Sequence, residues 1–132
     1  MLGDMIGELK GKLTGSRVLS VECCPKIEVS VQGIGKIIGI DVTDIGTFWE
    51  MIKEDGSLYG EGQGVMMSNE GEIVTWEAQG LGKTKGKGAE WRVSVFFNTH
   101  SIKLSHLNNI MGIVVFEIDD EGNTKEKVWE CS

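Results

Sequence analysis

Little in this chain can hold a metal. Its two histidines, His100 and His106, stand six residues apart, a separation that neither a strand nor a helix converts into a shared ligand pair. No Cys-x-x-Cys motif accompanies them, so a zinc centre is not expected. The three cysteines, Cys23, Cys24 and Cys131, leave an odd thiol, and adjacent cysteines rarely bridge because a disulfide needs more separated Cα atoms. Reduced thiols in a cytoplasmic protein are the expectation. No run of about 18 apolar residues occurs, and Met1–Leu13 is broken by Asp4, Glu8 and glycines, so neither a membrane helix nor a signal-peptide core is expected. Basic residues are also short: 13 against 20 acidic, a net charge of −7, which disfavours a nucleic-acid partner. No G-x-S-x-G elbow is present, and nothing specifies a Ser/His/Asp or Cys/His grouping. No cofactor motif survives either.

What is abundant is glycine, 19 residues against a single proline, which suggests many turns and strands that approach one another closely. A chain of 132 residues fits one domain, 1–132, without internal repeats. Three triplets, Glu54-Asp55-Gly56, Asn69-Glu70-Gly71 and Asp120-Glu121-Gly122, each lie between two strand-like runs. A three-residue hairpin loop is a type I turn followed by a left-handed residue, and glycine suits that third place. Taking all three as such loops sets a register. Gly64 faces Trp76, Gly62 faces Ala78 and Gly60 faces Gly80, while Gln63 faces Glu77 and Glu61 faces Gln79. Across the first loop Phe48 meets Gly62 and Trp49 meets Glu61. Large rings over cross-strand glycines fill the missing side chains. In the third hairpin Glu117 meets Lys125, and Val114, Phe116 and Ile118 share a face with Val128 and Glu126.

Alternation extends the pattern to Ile27-Val29-Val31 and to Trp91-Val93-Val95-Phe97. Earlier strands are expected near Gly7–Thr14 and Arg17–Glu22, with another around Lys36–Ile40. The total is about eight or nine strands, enough to close an all-β, antiparallel up-and-down barrel and remove its edges. A two-sheet sandwich is the alternative. One short helical segment near 101–108, capped by Ser101, is expected to cover an end.

Two glycine motifs invite functional readings that fail. Gly80-Leu81-Gly82-Lys83-Thr84 resembles the tail of a P-loop, but Glu77 stands where the first glycine belongs and Lys85-Gly86-Lys87-Gly88 follows where a helix is required. Gly60-x-Gly62-x-Gly64 places its glycines on one strand face, a packing feature. The candidate binding group is Glu61, Gln63, Glu77 and Gln79 beside Trp49 and Tyr59. If that face lines the interior, its carboxyls are buried and mark a site; if it faces solvent, the pairs need no function. The Lys83–Lys87 loop reads as a solvated segment balancing the acidic turns at the same end, or as an anion site at the barrel mouth.

The stretch Gly56–Gly64, the stretch Val74–Gly82 and the ending Gly122–Glu130 together resemble a family of small prokaryotic proteins without known activity. In broad pattern that family is similar to the allene oxide cyclase type of barrel, related in shape to lipocalins. The resemblance implies an eight-stranded antiparallel barrel that forms homo-oligomers; it implies no catalytic residue here. Three functions follow as expectations. The first is a barrel holding a small apolar ligand, the second an isomerase or cyclase using a carboxyl such as Glu61 or Glu77, and the third a non-catalytic oligomeric interaction module.

Overall fold

Eight strands follow one another around a closed antiparallel barrel, each hydrogen-bonded to the next and the last to the first. The computed structural model describes residues 2–131. The strands are β1 (Leu2–Ser20), β2 (Lys26–Ile37), β3 (Ile40–Ile52), β4 (Leu58–Ser68), β5 (Ile73–Lys85), β6 (Gly88–Thr99), β7 (Met111–Ile118) and β8 (Asn123–Cys131). Closure pairs β1 with both β2 and β8, which leaves no sheet edge open. Among the described residues no helix is long and apolar enough to cross a membrane.

The three glycine triplets form the loops expected of them. Gly56, Gly71 and Gly122 have φ of +86°, +85° and +82°. Each donates its N–H to the residue three before it, and the flanking pairs Lys53–Ser57, Ser68–Glu72 and Asp119–Asn123 close the hairpins. The predicted register holds throughout: Gly64 with Trp76, Gln63 with Glu77, Phe48 with Gly62, Trp49 with Glu61 and Glu117 with Lys125.

Three local expectations are corrected. The two strands expected near Gly7–Thr14 and Arg17–Glu22 are one 19-residue strand, β1, whose register shifts between Leu13 and Gly15 and between Val18 and Ser20. These bulges break the alternation that a regular strand would show. The segment Lys36–Ile40 is a tight hairpin between β2 and β3, with Ile38 and Gly39 at φ +40° and +80°. Ser101 does not cap the helix: the 3-10 turn spans Ser105–Asn109, starts after Leu104 and has no side-chain cap. The Ser101 hydroxyl instead accepts from Leu104 N at 3.4 Å and bonds Glu72.

That turn is the plug of one end. Leu104 and Leu107 are wholly buried and join Ile37, Val42, Met66 and Val74 in the larger apolar cluster. Asn108 anchors the segment to the end of β6, accepting from Thr99 N at 2.8 Å and donating to Thr99 O at 3.0 Å. A smaller cluster of Leu58, Ala89 and Trp91 fills the other end, with Phe48 and Phe116 packed against it. Glycines let the rings lie flat on the wall. A Cβ at Gly64 would come within 2.4 Å of the Trp76 ring, one at Gly82 within 2.7 Å of Trp91, and one at Gly62 within 2.8 Å of Phe48.

Candidate functional site

Register and burial decide which face lines the interior. On β4 and β5 the glycine face with Trp76 and Ala78 points inward, and Glu61, Gln63, Glu77 and Gln79 are exposed on the outside. With Trp49 and Tyr59 they form one outer patch. Tyr59 donates its hydroxyl to Glu61 Oε2 at 2.7 Å and reaches Gln79 Oε1 at 3.4 Å. The hydrogen bond to Glu61 pushes the Tyr59 hydroxyl up from its ordinary pKa. The Trp49 ring lies 5.6 Å from that of Tyr59 and carries Lys26 Nζ 4.0 Å from its centroid. The patch borders an open groove of about 520 Å³. Its size reflects openness to water, so its polar groups keep their solvation.

The remaining candidates are dispersed. His100 is exposed, and His106 pairs with Glu130 through Nε2. The lysine loop does not balance the acidic turns as expected: Lys83 and Lys85 reach Glu90 of their own hairpin, at 3.8 and 2.8 Å. Only the backbone N–H of Lys87 meets a neighbouring turn, donating to Asp120 Oδ1 at 2.9 Å. Among the described residues no group of three metal-ligating side chains occurs.

The interior holds a different set. Asp44 occupies the apolar phase of β3, between Val42 and Phe48 on the inward face, and is only 6% exposed. Its carboxylate accepts the indole N–H of Trp76 at 2.8 Å. Burial pushes its pKa up to about 6, against the Trp76 hydrogen bond and a backbone bond from Ile45, which hold it down. Glu126 points inward from β8 opposite Phe116. Its carboxyl is enclosed, and burial first, then the charge of Asp44, raises it to about 8. The residue as a whole is half-buried because it borders a void, which leaves part of its surface accessible within the walls.

That void is a chamber of about 80 Å³ between the two apolar clusters, walled by Phe48, Trp76, Trp91, Val93, Val114 and Phe116; the inward-facing acids Asp44 and Glu126 line it, and the outward-facing Glu61 and Gln79 border it. A second space of about 30 Å³ continues toward the plug and shares Trp76, Ala78, Val114 and Glu126 with it. Phe48 meets Trp91 and Phe116 edge to face, at centroid distances of 5.9 and 6.1 Å. Trp91 is 3% exposed, and its indole N–H has no partner among the described residues. Near pH 7 the chamber therefore contains one carboxylate held by a donor and one neutral carboxyl without one. Neither Asp44 nor Glu126 belongs to the expected group. The signal for Glu126 was the register that places it on the face of Val114, Phe116 and Val128; for Asp44 it was an acid in step with Val42, Gly46 and Phe48.

Solved structures share this barrel. A protein with unknown function from Clostridium acetobutylicum ATCC 824 matches with a TM-score of 0.85 at 12% identity, over 98% of this chain and 97% of that one. A beta-barrel like protein from Acinetobacter baumannii AYE matches with a TM-score of 0.82 at 11% identity, over 98% and 94%. An enzyme from Penicillium herquei matches with a TM-score of 0.68 at 16% identity, over 98% and 96%. At such identities the likeness establishes the fold alone. No protein-family model matches the chain, and no curated protein is similar to it.

Proposed function

We propose that the barrel binds a small, largely apolar molecule in the chamber between Phe48, Trp76, Trp91 and Phe116. The observation that supports this is a space of about 80 Å³ with aromatic walls and a mostly apolar lining, continued by a second space of about 30 Å³. An engineered cavity of about 150 Å³ accommodates the six heavy atoms of benzene, so by the same ratio this chamber suits a ligand, or the buried end of one, of about three heavy atoms, and of about four where its 30 Å³ extension is filled too. Pressurising crystals with xenon tests the reading. Xenon between Trp76, Trp91 and Phe116, displaced in an Ala78→Val variant, is the expected result. A chamber that excludes xenon, or xenon in the outer groove instead, overturns it.

The carboxyl pair favours a second reading, an acid–base enzyme of the isomerase or cyclase type. Asp44, whose charged form is stabilised by Trp76, would be the base, and Glu126 the acid. Turnover that survives both Asp44→Asn and Glu126→Gln overturns this reading. The expected homo-oligomer has support on the outer wall, where Ile45 pairs with Val65 and Met67 with Ile73, all exposed. A one-chain mass by light scattering overturns that assembly.

A further inference from the structure

Burying two carboxyls is unfavourable unless something compensates them, and the protein supplies little. None of the residues lining the chamber or its 30 Å³ extension is basic. Asp44 has the Trp76 N–H and one backbone donor, while Glu126 has no hydrogen bond among those that act on it. A purely apolar ligand would leave the Glu126 carboxyl without a hydrogen-bond partner and the Asp44 carboxylate without a counter-charge. The walls add a second constraint. Four aromatic rings surround the space, and the faces of indole and phenyl rings attract positive charge, more strongly where water is excluded.

We propose that the ligand is a compact organic cation, an alkylammonium whose charged end meets Asp44 and Glu126 and whose alkyl body packs among Phe48, Trp76, Trp91 and Phe116. The proposal deepens the interior-binding reading and rests on it. The cation supplies the missing counter-charge and donors to the carboxyls, and the aromatic walls accept both its charge and its methyl groups. A tert-butyl group bearing one amine has five heavy atoms in all, the upper end of what the chamber and its 30 Å³ extension hold together.

The experiment compares tert-butylammonium with tert-butanol, which has the same shape and no charge, by isothermal titration at pH 7. The cation is expected to bind at least about tenfold more tightly, the discrimination that a buried charge-assisted hydrogen bond supplies. Asp44→Asn is expected to abolish that preference while leaving tert-butanol binding in place, which also shows that the variant is folded. Glu126→Gln is expected to reduce the preference. Equal affinities of the two probes overturn the cation proposal and leave interior binding standing. Binding of neither probe overturns both. A preference that persists in Asp44→Asn and in Glu126→Gln also overturns the proposal, because the charge is then being read elsewhere.

Discussion

Replacing Glu126 with glutamine keeps the shape of a buried side chain and removes its titration, and the consequence for stability can be worked through. The Glu126 carboxyl moves from an ordinary value of 4.5 up to about 8 on folding, through burial and then through the charge of Asp44. A carboxyl whose folded pKa lies above its unfolded value holds its proton more tightly in the native state. Unfolding then releases protons, so stability falls as pH rises. The contribution is complete below the unfolded value and is lost as pH climbs through the folded one. At about 1.4 kcal/mol per pKa unit, the whole loss is about 5 kcal/mol. Roughly 2 kcal/mol of it falls between pH 6 and 8, because the slope halves as pH reaches the folded value. Urea unfolding followed by tryptophan fluorescence measures it at several pH values in the wild type and in Glu126→Gln. Groups that do not interact with Glu126 cancel in the difference; Asp44, whose charge acts on Glu126, adds a smaller change near its own value of about 6. The variant is expected to gain on the wild type by about 2 kcal/mol between pH 6 and 8. Parallel stability profiles would refute the reasoning, because they would mean that the carboxyl ionises as freely inside the barrel as outside.

Three further substitutions test the packing. Gly64→Ala drives a methyl to within 2.4 Å of the Trp76 ring and 2.6 Å of the Ile45 carbonyl, and a loss of about 1–3 kcal/mol is expected. Gly15→Ala, at a position with nothing within 4 Å, is expected to change stability by less than about 1 kcal/mol in either direction; both are read from chemical denaturation midpoints. Leu107→Ala removes a wholly buried side chain from the plug, with an expected loss of about 2–5 kcal/mol in the same assay. Hydrogen exchange in that variant should quicken first at Thr99, which the plug's Asn108 holds.

The hairpins were legible where glycine marks a left-handed position. Gly56, Gly71 and Gly122 stand at the third place of their loops, and each carries a register with it. The β2–β3 turn was hidden because Ile38, a β-branched residue, takes a positive φ that sequence rules assign to Asn, Asp or Gly. The length of β1 was hidden because its bulges shift the alternation midway. The interior carboxyls were obscured for a different reason. Reading alternation treats a carboxylate as evidence of a wet face, so Glu61 and Glu77 drew notice while Asp44 and Glu126 passed as interruptions. The pairing of Phe116 with Glu126 was nonetheless available from the turn at Asp120-Glu121-Gly122, and it places an acid squarely among apolar partners. A charged residue in the apolar phase of a strand with fixed register is the signal that carried the site.

The four tryptophans test the central claim directly, because they divide between the two faces of the wall. Trp76 and Trp91 line the chamber, whereas Trp49 borders the outer groove, and Trp129 alternates with the inward residue Val128 on β8. Indole N–H resonances followed by two-dimensional NMR during a titration with tert-butanol separate them. Movement of the Trp76 and Trp91 signals, with Trp49 and Trp129 unchanged, is the predicted result. Movement of Trp49 with Trp76 and Trp91 fixed would place binding on the outer wall and contradict the account.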